Sequence, residues 1–197
     1  MSDPRTLDVY AAQSDSYTEM MDREAAKDPM IARFIAACPP GGLVLDLGCG
    51  AGQYARRMAE AGLRVEAIDA VPAMVTRANA YPGVKARQGR FTDVAGTAVY
   101  DGIWAYFSLL HAPRSQMDGH LAAIARALKP GGALFIGLKR GAGGGRDKLG
   151  RYYEYYELPE LEDRLTRAGL ALAEHWTGIG TGLAANPEGW IVIEAHA

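Results

Sequence analysis

The stretch Leu43-Val44-Leu45-Asp46-Leu47-Gly48-Cys49-Gly50-Ala51-Gly52-Gln53 holds the clearest chemistry in this sequence. An apolar run ends in closely spaced glycines, and a helical pattern follows. Glycines at such a junction let the chain turn sharply and bring backbone N–H groups close to a ligand, because no β-carbon stands in the way. Asp46 sits at the end of the run, where its carboxylate can fix the turn or face a cationic group. The next apolar run, Val65-Glu66-Ala67-Ile68, ends in a second carboxylate, Asp69. An acid at that point of a βαβ unit can accept hydrogen bonds from a pair of ribose hydroxyls. A nicotinamide fingerprint needs G-x-G-x-x-G, but counting from Gly48 the third glycine falls at Gln53. Asp46 would also repel a pyrophosphate, whereas an ammonium or sulfonium is compatible with it. The pattern suits a ligand that has a ribose and no phosphates, and it disfavours a nicotinamide-dependent oxidoreductase.

The elements that must hold these residues alternate. Val44 to Leu47 reads as a buried strand and Gly52 to Ala61 as a helix stopped by Gly62. Arg64 to Ile68 is a second strand, and Pro72 to Ala80 a helix opened by proline. Strands are predicted at Val84 to Arg87, Tyr100 to Tyr106 and Ala133 to Leu138, with a helix from Ser115 to Leu128 before the turn Lys129-Pro130-Gly131-Gly132. A helix from Pro159 to Ala168 precedes a sixth strand, Leu170 to Trp176, and a seventh, Trp190 to His196. Strands apolar enough to be dry on both faces, alternating with helices, predict a mostly parallel sheet covered on both sides. The glycine- and proline-rich composition of Thr177 to Gly189 reads as a loop, not a crossover helix, so strands six and seven are expected to pair antiparallel. Residues before Gly41, helical from about Tyr10 to Ala37, are free to lie across the carboxyl edge of the sheet.

The 197 residues fit one domain, read as a helical cap (1–40) on an α/β core (41–197). Hydrophobic residues make up 49% and charged residues 22%, the balance of a globular chain, and a net charge of -2 gives no basic field for nucleic acid. Cys38 and Cys49 are too few for a disulfide framework. With no signal pattern in Met1-Ser2-Asp3-Pro4-Arg5 and no apolar run of about 20 residues, a soluble, cytoplasmic, reduced protein is expected, without membrane or nucleic-acid partners. The oligomeric state is not legible.

Several stretches, in order, resemble class I S-adenosylmethionine-dependent methyltransferases, in the branch of small stand-alone domains. Val44 to Gly52 is similar to the family's first motif, and Asp69 stands at its ribose-binding acid. Phe91-Thr92-Asp93 resembles the region after strand three. Asp101-Gly102-Ile103-Trp104-Ala105 with Ser108-Leu109-Leu110-His111 resembles the fourth-strand motif, and Leu128 to Phe135 the turn before strand five. The resemblance implies a seven-stranded Rossmann-like sheet of order 3-2-1-4-5-7-6 with strand seven reversed, and S-adenosylmethionine as cofactor. It places Gly48, Cys49 and Gly50 along the methionine portion, with Asp46 and Gly52 in the same turn. Asp69 falls on the ribose, Ala70 and Met74 near the adenine, Thr92 and Asp93 at its edge, and the Ala105 backbone by the methionine carboxylate or amine. The Asn/Asp-Pro-Pro-Tyr quartet of members that methylate bases or amides is replaced by Ala105-Tyr106-Phe107-Ser108, which disfavours that chemistry.

His111, beside the expected methyl position, is the candidate base, with a structural or capping role as the other reading. His120 reads as a surface helix residue, His175 and His196 as core or edge positions, and the four histidines show no metal-ligand spacing. Tyr10 and Tyr17 share a helical face and either pack the cap or touch cofactor or acceptor. The basic, glycine-rich Lys139 to Arg151, with Arg146, is either a solvated connection or a mobile lid for an anionic acceptor. It lacks the Gly-Lys-Ser/Thr of an NTPase loop. Tyr152 opens a run of tyrosines that pack or line an acceptor site. A small-molecule acceptor is the expectation. A regulatory module without turnover, and a protein or RNA acceptor, remain the alternatives.

Overall fold

The computed structural model describes residues 3–197; residues 1 and 2, at the start of the expected cap, lie outside the described residues. Three helices come first: α1 (Pro4–Ala12), α2 (Ser14–Lys27) and α3 (Pro29–Ala37). The α/β alternation follows as β1 (Leu43–Leu47), α4 (Gln53–Glu60), β2 (Arg64–Asp69), α5 (Pro72–Ala78), β3 (Val84–Gln88), β4 (Tyr100–Tyr106), α6 (Arg114–Ala127) and β5 (Leu128–Lys139). A short pair, β6 (Gly144–Arg146) and β7 (Tyr152–Glu154), precedes α7 (Leu158–Arg167), β8 (Ala171–Thr181) and β9 (Pro187–His196). The main sheet runs β3-β2-β1-β4-β5-β9-β8, with β9 antiparallel to both neighbours. This is the order and the reversal expected from the sequence.

Strand alternation explains why helices cover both faces. Leu45 and Leu47 of β1 enter a core with Met117, Leu121 and Ile124 of α6 and Leu161 and Leu165 of α7. Val44, pointing the other way, joins a second core with Ile31 and Phe34 of α3 and Ala55 and Met58 of α4. There Trp104 of β4 is fully buried between Phe34 and Phe135, with ring centroids 5.3 and 5.8 Å away. In register, Leu47 pairs with Ile68, and the N–H groups of Gly48 and Cys49 both reach the Ile68 carbonyl, at 2.7 and 3.0 Å. These bonds fix the glycine turn beside the end of β2.

Four local expectations are corrected. Thr177 to Gly189 is not a loop: β8 runs to Thr181 and β9 starts at Pro187. Gly178 lies opposite Trp190, and a Cβ on it would come within 2.3 Å of the indole, so this glycine makes room for an aromatic ring inside a strand. Lys129-Pro130-Gly131-Gly132 is not a turn before β5 but an irregularity within it, where the register on β4 jumps between Tyr100 and Gly102. The sixth strand is an edge strand, with Glu174 and His175 exposed, rather than dry on both faces. His120 is buried within α6, not on the surface.

Candidate active site

A cleft lies over the carboxyl ends of β1 and β2, walled by Gly48, Gly50, Asp69, Ala70 and Met74. From the cap, Thr6, Leu7, Tyr10 and Tyr17 close it, and Arg90, Phe91, Phe107, Ser108 and His111 complete the wall. Gly48 has φ +81°, and a Cβ there would stand 2.3 Å from the Ser108 Cβ, so the turn can hold only glycine against the β4 loop. Ser108 is itself fixed by donating its hydroxyl to the Leu47 carbonyl at 2.5 Å. Gly50 has φ +53°, with the Tyr17 ring 3.2 Å from the place of its missing Cβ.

Asp69 has two tasks. Its Oδ2 accepts the Gly50 N–H at 2.9 Å and its Oδ1 the Val71 N–H at 2.8 Å, which ties the turn to the start of α5. Asp69 lines the cleft, and a carboxylate has capacity for bonds beyond these, as a pair of adjacent hydroxyls requires. Burial pushes its pKa up, and the N–H groups of Val71, Gly50 and Ala70 oppose that. Beneath the turn Asp46 is almost fully buried, and its Oδ2 has no hydrogen-bond partner. Burial first, and the charge of Asp69 second, push its pKa up to about 8. A cation brought to the cleft would relieve that cost. An unpaired carboxylate oxygen, a cradle that a Cβ would fill and an acid at the end of β2 fit a cationic nucleoside.

Other expected contacts are not in the wall. Cys49 is buried under the turn, its thiol pushed well up by burial, with Sγ directed to the Gly50 carbonyl. Gly52 packs α4 on α5, where a Cβ would strike Ala78 at 2.8 Å. Ala105 is fully buried in the core, and Phe107 and Ser108 face the cleft instead. Thr92 and Asp93 are exposed on a short turn, where Asp93 Oδ2 accepts the Arg90 N–H at 2.9 Å; Arg90 and Phe91 line the cleft in their place.

The basic stretch is a clamp on the cap rather than a free lid. Arg146 holds Asp3 through two bonds of 2.8 Å, and the Tyr152 N–H donates to Thr6 Oγ1 at 2.8 Å. Neither Arg146 nor Tyr152 lines this cleft or the cavity that adjoins it. Arg151, buried, is paired with Asp147 and donates to the Tyr10 hydroxyl oxygen at 3.0 Å. His111 lies 2.6 Å from the Tyr152 carbonyl through Nδ1 and 2.9 Å from the Tyr10 hydroxyl through Nε2. A carbonyl only accepts, so Nδ1 carries the proton and Nε2 accepts from Tyr10.

Burial, assisted by the charges of Arg151 and Lys139 and opposed by the Tyr152 bond and Asp147, lowers the His111 pKa from 6.5 to about 4. Tyr10 and Tyr153 also face this ring. The folded chain therefore binds fewer protons than the unfolded chain between those two values. Stability present above pH 6.5 is lost as the pH falls toward about 4. His120, also lowered by burial, acts in the same direction. Thermal melts across this window are expected to show a shallower loss of Tm for His111→Gln than for wild type; equal slopes would contradict the assignment.

A second cavity of about 440 Å³ adjoins the first. Met20, Met21, Met30, Tyr54, Tyr106 and Trp190 supply apolar wall, Lys139, Arg151, Tyr153 and Glu188 one polar side, and Glu24, Lys27 and Asp28 charged groups at the α2 side. Tyr10, Tyr17 and Phe107 line both cavities. Spacing put Tyr10 and Tyr17 on one helical face; they stand instead on α1 and α2, because the helix breaks at Gln13, and their rings meet at 5.1 Å. The basic stretch pointed to Lys139 and Arg151, and nothing in the sequence marked Phe107. Among the described residues no group of His, Cys, Asp and Glu side chains gathers as a metal site, and no helix is long and apolar enough to cross a membrane.

Residues 44–132 match a family model described as a methyltransferase domain. The cypemycin N-terminal methyltransferase of a Streptomyces species is 33% identical over 144 residues, which cover 69% of this chain and 57% of that protein. The ubiquinone biosynthesis O-methyltransferase of Xanthomonas axonopodis pv. citri is 33% identical over 142 residues, 66% of this chain and 59% of that protein. The chain thus spans less than two thirds of the length of these relatives. The Burkholderia thailandensis 1,6-didemethyltoxoflavin-N1-methyltransferase, solved with bound 1,6-didemethyltoxoflavin and S-adenosylhomocysteine, shares the fold with a TM-score of 0.70 and 23% identity, over 95% of this chain and 87% of that one. Residues 44–132 thus match a methyltransferase domain, and the sheet order and glycine turn give the chain the fold of solved class I S-adenosylmethionine-dependent methyltransferases.

Proposed function

We propose that this chain transfers the methyl group of S-adenosylmethionine to a small-molecule acceptor, with the cofactor in the cleft and the acceptor in the adjoining cavity. The observation that carries this reading is the partition of Tyr10, Tyr17 and Phe107, where the contents of the two cavities would meet. Asp69 takes the ribose hydroxyls; Ala70 and Met74, with Phe91, wall the adenine. Gly48 and Gly50 run beside the methionine portion, and Asp46, buried behind the cleft wall, acts through the turn as a counter-charge to its ammonium. The cofactor supplies an electrophilic methyl on a positively charged sulfur. The chain's own work is to align a nucleophile with that carbon and keep water away, which needs no catalytic dyad. The faces of Tyr10 and Tyr17 favour positive charge at the partition. With Nε2 occupied by the Tyr10 hydroxyl, His111 acts as a positioning residue for Tyr10 rather than as the base.

A peptide amine is the second reading, favoured by the likeness to the cypemycin enzyme. Incubation with S-adenosylmethionine and a panel of small aromatics, heterocycles and short peptides, following S-adenosylhomocysteine release, separates the cases. Release is expected with a small aromatic and not with peptides. Cofactor binding with no release from any acceptor would refute the enzymatic reading and leave a cofactor-binding module.

A further inference from the structure

The polar side of the second cavity has an asymmetry of charge. Lys139 Nζ lies 3.5 Å from the centre of the Tyr153 ring, and the Arg151 guanidinium 5.3 Å from the same ring and 5.2 Å from that of Tyr10. Their carboxylate partners are placed differently. Asp147, which holds Arg151 and the Leu149 and Arg151 N–H groups, is not part of the cavity wall. Glu188 is in the wall but is bound to Lys139. Two cations therefore face this end of the cavity, and the one carboxylate there is already engaged. His111 behind Tyr10 is uncharged at neutral pH. On the α2 side Glu24 and Lys27 line the wall as exposed charges of opposite sign, and Asp28 is occupied by the Tyr54 hydroxyl at 2.8 Å and the Met30 N–H at 2.9 Å.

Resting on the acceptor site proposed above, we infer that the acceptor is an aromatic hydroxyl compound held as its oxyanion, with its ring among the methionines and aromatics and its oxygen toward Lys139 and Arg151. An ammonium in that place would meet two cations and no free carboxylate, and would be repelled. An aryl hydroxyl gains by losing its proton there, because the nearby positive charges favour the charged form. Methionine and aromatic walls suit a flat, polarizable ring, and the cavity is within the usual small-molecule range of about 300–1,000 Å³. The reaction then balances without a base on the chain. The hydroxyl proton leaves to solvent on binding, an oxygen lone pair forms the bond to the methyl carbon, and the carbon–sulfur bond breaks with its electrons staying on sulfur. The products are an aryl methyl ether and a neutral thioether.

Optical titration of the protein with 2-naphthol, beside the cationic 2-(aminomethyl)naphthalene of similar shape, tests this with and without S-adenosylhomocysteine. Naphthol is expected to bind about tenfold more tightly than the cation, or better, a difference of about 1.4 kcal/mol. Its bound spectrum should be that of naphtholate at a pH where free naphthol is neutral. Lys139→Met should cut naphthol affinity roughly fivefold and diminish the naphtholate band, and Glu188→Gln, which frees Lys139, should strengthen both. Equal or tighter binding of the cation, a neutral spectrum for bound naphthol, or no binding of either probe would overturn the inference. Failure of S-adenosylhomocysteine to bind the wild type would instead strike the cofactor reading, while the naphthol titration of the free protein still decides the acceptor class.

Discussion

Replacing Asp69 by alanine is expected to weaken S-adenosylhomocysteine binding by about 3 kcal/mol, roughly two orders of magnitude, as the loss of two hydrogen bonds to a charged acceptor requires. The residue is well placed for so large an effect, since it is half-buried and lines the cleft. It also holds the Gly50 and Val71 N–H groups, so alanine loosens the turn at the same time. Asp69→Asn separates the two contributions, because asparagine keeps one acceptor oxygen and nearly the same shape. Its loss should fall between wild type and alanine. Calorimetry on the three proteins reads this directly, and an affinity unchanged in Asp69→Ala would mean that the ribose site is elsewhere.

The second large effect is on folding. Gly48→Ala places a Cβ 2.3 Å from that of Ser108 and forces an L-residue to φ +81°. The backbone cost of about 1–2 kcal/mol adds to overpacking of typically 1–3 kcal/mol, so a loss of about 4 kcal/mol is expected. At roughly 2–4 °C per kcal/mol for a chain of this size, Tm should fall by about 10 °C. Gly62→Ala is the matched control: its φ is +86°, with nothing within 4 Å of the added carbon. It should lose only the backbone part, about 1–2 kcal/mol. Equal losses in the two variants would show that Ser108 gives way and that the Gly48 contact is loose.

What the sequence revealed and what it concealed divide along physical lines. The mostly parallel sheet and its reversed last pair were legible because buried parallel strands leave continuous apolar runs, and because the glycine- and proline-rich residues before the last strand do not form a crossover helix; the strand order itself came with the family resemblance. The Gly48 turn and Asp69 were legible because one strand end and one turn specify both. The end of β8 was not. Gly178 accommodates the ring of Trp190 across a strand pair, and a glycine that serves packing reads the same as one that serves a loop. The Lys139 to Arg151 stretch misled for another reason. Its cations look unpaired in the sequence, yet Arg146 finds Asp3, 143 residues away, and Arg151 finds Tyr10. Contacts of that separation leave no local pattern. Thr92 and Asp93 show the reverse case, since the motif was present but a capping bond to the Arg90 N–H turns Asp93 away from the cleft.

A crystal structure of the complex with S-adenosylhomocysteine bears most directly on the cofactor site. Both ribose hydroxyls should lie within hydrogen-bonding distance of the Asp69 carboxylate, with the amino-acid end of the ligand along Gly48 and Gly50. Adenosine found outside the β1–α4 turn, or a ribose that leaves Asp69 untouched, would contradict it.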